Sequence, residues 1–289
     1  MLEELSKAAQ AIATDVVPSV VGIGRGRRRG SGIIVARGRI LTNAHNVDPD
    51  GVKVRTHDGT AIGGVVAGMD VDGDLAVVDA DVGPSAITFS EAVVEIGMPV
   101  FAVGAGYPGA RVTFGLISAV GQAFRGPRGR LIRGSIEHTA PMAPGSSGSA
   151  LVDVEGGLVG LNTNRLGAGF YQALPTDAVL RARIDRLAAG EDLERPRLGI
   201  AIAPSWVAQR MRAAVGLPPR DGLLVREVEA DERAAKAGIA VGDLLIGVAG
   251  RELSDPDDLD AAIQSADWPL TLRLVRGQEE MDVSIPLDT

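Results

Sequence analysis

The chain has 289 residues, 45% hydrophobic and 23% charged, which is enough for two globular domains with apolar cores. Its formal net charge of −8 argues against a nucleic-acid partner, and the absence of cysteine excludes disulfides, cysteine nucleophiles and thiolate metal sites. With 38 glycines but only five Phe, two Trp and two Tyr, it favours many short strands joined by tight turns.

The first residues predict a short amphipathic helix over about 2–13, because apolar side chains recur there at helical spacing. These side chains are Leu2, Leu5, Ala9 and Ile12. Pro18 separates the helix from the first strand. Acidic residues stand where an export signal would be basic, and no segment has the length of an apolar membrane span. The sequence as given therefore predicts a cytoplasmic protein, and an extracytoplasmic location stays open for a trimmed chain.

Short β-rich segments follow, among them VVGIG, RILTNA, LAVVDA and GLVGLNT, and they are punctuated by Gly, Asp or Pro. This pattern is typical of an antiparallel barrel or sandwich. Helical periodicity returns over about 176–189, where Val179, Ile184 and Leu187 form an apolar stripe that ends at Gly190.

A charged segment, EDLERPR, then interrupts the pattern, and strand signals restart with LGIAI. A helix over 256–266 and two closing strands complete this second half. We therefore expect a first domain over residues 1–192, a linker over 193–196 and a second domain over 197–289.

Several motifs are interpreted as structural. The run GRGRRRG, residues 24–30, reads as a solvated loop because it lacks interleaved aromatic residues. The run Gly104–Gly109 matches a dinucleotide fingerprint, but an alternating strand rather than a helix follows it, so we interpret it as a turn. His45, His57 and His138 show no metal-ligand spacing.

Three motifs in chain order point to nucleophilic catalysis: TNAHNV around His45, DGDLAVV around Asp74 and PGSSGSAL around Ser147. A serine hydroxyl needs a base to take its proton, and that base needs a carboxylate to fix its tautomer and stabilise its cation. The N–H groups of Gly145 and Ser147 are the predicted oxyanion-hole donors. Taken singly, each side chain has an ordinary structural alternative as a core histidine, a turn residue or a loop hydroxyl.

In these motifs the chain resembles the HtrA/Deg family of trypsin-like serine proteases with a C-terminal PDZ domain. The family's T-N-x-H, D-L-A-V and G-N-S-G-G-P motifs fall on residues 42–45, 74–77 and 145–150, and AAKAGIAVGDLLIGVAG is similar to its PDZ domain. The resemblance implies a mostly β chain: a trypsin-like double six-stranded β-barrel followed by a small α+β PDZ domain.

The resemblance also implies the activity and the partners. The expected function is a serine endopeptidase that cleaves unfolded or damaged proteins through an acyl-enzyme, with no cofactor and no metal. Pro141 and Met142 stand where the family places its substrate pocket, which predicts small or medium aliphatic side chains before the cleaved bond. Leu198, Gly199 and Ile200 match the PDZ loop that binds peptide C-terminal carboxylates. The family often forms trimers through N-terminal aromatic residues, which this chain lacks before Phe89, so a homo-oligomer stays open.

Two departures leave an alternative open. The family's Gly-Gly-Pro reads Gly148-Ser149-Ala150 here, and its Asn before the nucleophile reads Ser146. Because an added side chain at position 149 could distort the oxyanion hole, the alternative is a catalytically silent peptide-binding scaffold or holdase. Leu259 and Ile263 lie one helical turn apart and either line the peptide groove or face the core.

Overall fold

The structure, a computed structural model, describes residues 2–24, 30–48, 51–83, 85–105, 109–126, 129, 131–167, 169–193, 196–265 and 268–287. Four sequence interpretations fall partly outside these ranges. They are the solvated loop over 24–30, the middle of the turn Gly104–Gly109, two residues of the predicted linker 193–196, and the last residue of the helix predicted over 256–266. The chain divides into two compact units, Met1–Glu194 and Arg195–Thr289. The exact bounds of the two domains stay a prediction.

The first half of unit one is a closed barrel of six antiparallel strands. They are β1 (Val20–Ile23), β2 (Gly30–Ala36), β3 (Arg39–Thr42), β4 (Val52–Arg55), β5 (Ala61–Asp70) and β6 (Leu75–Ala80). Their order around the barrel is β1-β2-β3-β6-β5-β4. In β4, Val52 and Val54 are buried whereas Lys53 and Arg55 are exposed, so the period-two alternation selects the face that points inward.

A second closed barrel of six antiparallel strands follows. It contains β7 (Pro99–Gly104), β8 (Arg111–Arg125), β9 (Leu131–His138), β10 (Ala150–Val152), β11 (Leu158–Arg165) and β12 (Tyr171–Pro175). The order is β10-β11-β12-β9-β8-β7. The pairing of Ala150 with Leu161 brings the loop before β10 beside the end of β11.

Two helices pack against the barrels. Helix α1 spans Leu2–Asp15 and buries Ile12 against the main core, so it ends two residues beyond the predicted 2–13. Helix α2 spans Ala178–Ala188, and the side chain of Asp177 caps it by accepting a hydrogen bond from the N–H of Leu180. Val179, predicted in the buried stripe, is 68% exposed. Because the helix begins at residue 178, Leu180 takes that place beside Ile184 and Leu187.

Unit two is an antiparallel sheet with three helices. Its elements are β13 (Ile200–Ala203), α3 (Ser205–Ala214), β14 (Leu223–Val228), α4 (Arg233–Lys236), β15 (Leu244–Val248), β16 (Arg251–Glu252), α5 (Pro256–Ser265), β17 (Leu270–Arg276) and β18 (Glu279–Ile285). The sheet order is β13-β14-β15-β17-β18, and β16 pairs with β15. The predicted fold class, a trypsin-like double barrel followed by a small α+β domain, is confirmed.

Helix α3 is an element that the sequence reasoning missed. It buries Ala208 and Arg212 while Trp206 and Met211 are exposed, so its sequence carries no apolar stripe that periodicity could detect. Among the described residues, no helix combines the length and the apolar character needed to cross a lipid bilayer.

Candidate active site

Strand pairing in the first barrel brings His45 and Asp74 together. Thr42 at the end of β3 lies opposite Ala76 near the start of β6, so the residues just beyond both ends share one edge of the barrel. His45 sits on the short 3₁₀ turn Ala44–Asn46 after β3, and Asp74 directly precedes β6. Asp74 has φ of +53°, an unusual conformation for a residue with a side chain.

The imidazole of His45 is held by the Asp74 carboxylate. Its Nδ1 lies 2.8 Å from Oδ1 and 2.9 Å from Oδ2, and the His45 backbone N–H donates to Oδ1 at 3.1 Å. Asp74 is 1% exposed, and the Thr163 hydroxyl donates to its Oδ2 at 2.9 Å. A carboxylate fixed in this way holds a proton on Nδ1, which leaves Nε2 as the basic nitrogen.

Ser147 lies on the loop that precedes β10 and is tied to the first barrel. Its carbonyl accepts from the N–H of Ser31 at 2.7 Å and from Nδ2 of Asn46 at 2.9 Å. Its hydroxyl donates to the carbonyl of Thr163 at 2.9 Å, and within the described part of the chain no hydrogen bond joins it to His45. Catalytic hydrogen bonds often form only when substrate is bound, so this resting geometry is compatible with a nucleophile.

The predicted oxyanion-hole donors are two backbone N–H groups. Across the described ranges, neither the N–H of Gly145 nor that of Ser147 donates to a protein acceptor. Gly148 is also required by geometry, because it has φ of +83° and an added Cβ would lie 2.1 Å from the Ser31 carbonyl oxygen. The turn after Ser147 therefore accepts no side chain at position 148.

Ser149, which replaces a family glycine, is accommodated. It is fully buried, and its Oγ accepts a hydrogen bond from Nδ2 of Asn162 at 3.0 Å. The Asn162 backbone binds the same turn twice, since its carbonyl accepts from Gly148 N–H at 2.7 Å and its N–H donates to the Ser149 carbonyl at 2.9 Å. The Asn162 Oδ1 lies 2.8 Å from Nε2 of His138. The side chains of His138 and Asn162 thus form a hydrogen-bonded network that supports the loop of residues 141–149, called the serine loop below.

His138 is fully buried and stacks on Tyr171, with ring centroids 5.7 Å apart. Burial lowers the pKa of His138 from 6.5 to about 4, and the hydrogen bond with Asn162 opposes this only in part. The imidazole is therefore neutral near pH 7 and donates from Nε2 to Asn162. Its Nδ1 is buried without a partner in the structure, which costs free energy of about 1–3 kcal/mol.

The residues predicted to form the substrate pocket lie in the wall of a cavity of about 280 Å³. Pro141 and Met142 line it together with Ser146, but Ser147 and His45 do not. Met142 is half-buried against an apolar cluster that includes Val100 and Ala140. The cavity therefore does not by itself locate the substrate side chain, and the role of Pro141 and Met142 stays a prediction. A larger cavity, about 550 Å³, is lined by residues of 15–19, 86–92 and 153–157, and none of the triad candidates lines it.

In unit two, the loop predicted to bind a peptide carboxylate includes Leu198, Gly199 and Ile200. Over the residues that the structure describes, the N–H groups of Leu198 and Gly199 have no protein acceptor, whereas the carbonyls of both residues are bonded. Gly199 has φ of +72°, and a Cβ there would lie 2.2 Å from the Cβ of Glu232. Leu198 is buried in the core, Ile200 begins β13, and Leu259 is buried while Ile263 is half-buried against the same core.

Several site residues were missed by the sequence reasoning, namely Ser31, Asn46, Asn162 and Thr163. The segment GGLVGLNT was recognised, but its Asn and Thr received no role. Their partners lie far away in sequence: Thr163 binds Asp74 across 89 positions, and Asn46 binds Ser147 across 101. Among the described side chains, no group of three or more His, Asp or Glu is arranged to hold a metal ion.

Two closed barrels, with a histidine, a buried aspartate and a serine at their junction, define a trypsin-like serine protease unit, here followed by a sheet unit. Residues 30–161 match the family described as a trypsin-like peptidase domain, and residues 224–276 match the PDZ domain family. The chain belongs to the HtrA/Deg family of trypsin-like serine proteases with a PDZ domain.

Relatives and solved structures support this membership. A protein of Synechocystis sp. named as a serine protease, HhoA, is 32% identical over 89% of this chain and 70% of its own length. A DegP-like protein of Halomonas elongata, named as a periplasmic serine endoprotease, is 29% identical over 90% of this chain but 56% of its own length. A serine endoprotease from Yersinia pestis is 26% identical, with a TM-score of 0.72 over 96% of both chains.

The burial of His138 predicts a loss of stability in acid. The unfolded chain binds a proton near pH 6.5 but the folded chain only near pH 4, so the free energy of unfolding falls as the pH falls through this window. The separation of the two pKa values, 6.5 and about 4, corresponds to roughly 3 kcal/mol. Urea unfolding measured at several pH values from 4 to 7.5 tests this.

The matched variants are His138→Gln, which keeps a donor but cannot be protonated, and His57→Gln, which removes an exposed histidine. We expect the pH dependence between 4 and 6.5 to flatten in the first variant and to persist in the second. Parallel curves for the wild type and His138→Gln would show that His138 is not the group responsible.

Proposed function

We propose that the chain is a serine endopeptidase that hydrolyses peptide bonds of unfolded or damaged proteins through an acyl-enzyme. The observation that carries this proposal is the pairing of His45 Nδ1 with buried Asp74 at 2.8 Å, beside Ser147 and two free amides. The names of the similar chains, which are serine proteases or endoproteases, support the same activity. They do not favour the alternative of a catalytically silent scaffold.

In the proposed mechanism, Ser147 Oγ attacks the scissile carbonyl while His45 Nε2 takes its proton. His45 then gives this proton to the leaving amine, and the acyl-enzyme forms. A water molecule deacylates the serine by the same route in reverse. Asp74 keeps its negative charge throughout and stabilises the imidazolium, a role for which the two short contacts to Nδ1 are suited.

The carbonyl oxygen becomes an oxyanion in each tetrahedral intermediate. The N–H groups of Gly145 and Ser147 would stabilise that charge, since amides that are already oriented need little reorganisation during the reaction. The segment is restrained at both residues through its carbonyls: that of Gly145 accepts from the Ser31 hydroxyl at 3.0 Å, and that of Ser147 accepts from Ser31 and Asn46.

We also propose an extracytoplasmic location, since several of the similar chains are named as periplasmic. The cytoplasmic prediction from the N-terminal sequence has no such support. The assembly state stays a prediction, because no relative's name or contact in the chain bears on it.

Labelling with a fluorophosphonate probe tests the enzyme proposal. The folded wild type should label at one residue, and Ser147→Ala should abolish labelling because the nucleophile is gone. Asp74→Asn should lower kcat on an unfolded protein substrate roughly 10⁴-fold, since the wrong histidine tautomer results. As a control, Ser146→Ala should still label. A folded wild type without labelling would favour the silent scaffold instead.

A fluorogenic peptide panel tests the specificity proposal. We expect kcat/KM for Val, Ala or Leu before the cleaved bond to exceed that for Lys or Arg by roughly tenfold or more, because positions 141 and 142 are Pro and Met and not a carboxylate. If peptides with Lys or Arg before the cleaved bond were hydrolysed fastest, the proposed pocket would be refuted. Glutamate cleaved best would show that the 280 Å³ cavity receives the substrate side chain.

Peptide binding to unit two is proposed to use the free amides of Leu198 and Gly199 with strand addition along β13. Fluorescence polarisation on the Ser147→Ala chain would compare a labelled peptide with a free C-terminus and the same peptide amidated. We expect amidation to weaken binding roughly tenfold or more, because it removes the charge that the amides bind. Equal affinities for the two peptides would contradict this loop as the carboxylate site.

A further inference from the structure

The 280 Å³ cavity is bordered by the loop of residues 141–149, and Ser147 is not among the described residues that line it. Among the described residues, its walls come from β7, from β8 and from residues 141–149, and none of them belongs to β11 or to the first barrel. Ser147 Oγ, in contrast, bonds to Thr163 on β11. The cavity is therefore separate from the proposed catalytic centre, although the loop of residues 141–149 borders both.

The polar groups of the cavity are donors. Arg111 is exposed, and within the described ranges its guanidinium has no ion-pair or hydrogen-bond partner. The Ser146 hydroxyl likewise has no protein partner there, and a Cβ on Gly104 would lie 3.3 Å from it. Ser149 accepts from Asn162 and keeps its own O–H proton available.

Of the lining residues that the structure describes, none is acidic, and one further hydroxyl is already used, since Thr113 Oγ1 donates to the Pro141 carbonyl at 2.7 Å. The remaining walls are apolar and include Ala102 and Met142. A cation with two hydroxyl donors at an otherwise apolar wall suits a carboxylate on a short aliphatic stem. The volume of about 280 Å³ is just below the usual range of roughly 300–1,000 Å³ for small-ligand sites, which suits a ligand of only a few carbon atoms.

We propose that this cavity is an effector site for an aliphatic carboxylate, and that its occupancy activates the enzyme. Ser146 lies between the two proposed oxyanion-hole amides, those of Gly145 and Ser147. A carboxylate that bonds Ser146 and Arg111 would fix the Gly145–Ser147 segment in one conformation, which is the condition for oxyanion stabilisation. The activation rests on the proposed protease function, whereas the binding does not.

Two sources supply such a carboxylate: a free short-chain acid, or an acidic side chain of a polypeptide. Butyrate and an acetylated, amidated Ala-Glu dipeptide represent them, and butyramide is the uncharged control. Calorimetry on the full Ser147→Ala chain would measure binding without turnover. We expect butyrate to bind, butyramide not to bind, and the dipeptide to bind more tightly only if a polypeptide is the source.

Arg111→Gln should weaken butyrate binding roughly tenfold or more, because a charge-assisted hydrogen bond is lost. Arg125→Gln, which removes the same charge at the far end of β8, should leave the affinity unchanged. In the wild type, saturating butyrate should raise the rate of fluorophosphonate labelling severalfold, and this increase should vanish in Arg111→Gln.

The outcomes separate the two proposals. Absence of butyrate binding, or binding that Arg111→Gln does not affect, would overturn the effector site while leaving the protease intact. Competitive inhibition of peptide hydrolysis by butyrate would also overturn it, because the ligand would then occupy the substrate cleft. Binding that depends on Arg111 in a chain that never labels would support the site and refute the protease function.

Discussion

The catalytic arrangement depends on hydrogen bonds that join the two barrels of unit one. Thr163 of the second barrel donates to Asp74 of the first, and Ser31 and Asn46 of the first barrel hold the carbonyl of Ser147 in the second. Each of these bonds is at least partly shielded from water, where a misplaced partner would leave a polar group unsatisfied. The two barrels therefore fix one another's catalytic residues, and neither barrel contains a complete site.

Asp74 illustrates how this constraint shapes the backbone. The residue has φ of +53° and is buried, both of which are unfavourable for an aspartate. Its carboxylate nevertheless receives donors from the His45 backbone, the His45 ring and Thr163, and its own carbonyl accepts from Asn43 at 3.0 Å. Surrounding donors stabilise the charge and the conformation together, so the strain is concentrated at the residue that orients the base.

The sequence was informative wherever local patterns decide structure. Alternation in β4 and the spacing of Ile184 and Leu187 report which side chains are buried, because burial follows the period of the element. Val179 was assigned wrongly to the same stripe, since Leu180 takes that place. Helix α3 was not predicted from the sequence, because its buried residues are Ala208 and Arg212, which form no apolar stripe. The triad candidates were predicted from motif context, but the roles of Thr163 and Asn162 follow from pairing across barrels and strands, which no local pattern contains.

The departures in the serine loop show that residues distant in sequence decide whether a substitution disrupts the loop or is accommodated. The sequence predicts that a side chain at position 149 could distort the oxyanion hole, yet the structure accommodates Ser149 beside Gly104, where even an added Cβ would lie 3.7 Å from that of Ser149. Asn162 satisfies the Ser149 oxygen by donating to it from Nδ2. Because Asn162 is also bonded to neutral His138, a network of polar side chains supports the loop in addition to its backbone hydrogen bonds. A buried network of this kind is favourable only while each member keeps its partner, so the position of Ser149 depends on Asn162 and His138, two residues that take no part in the proposed chemistry.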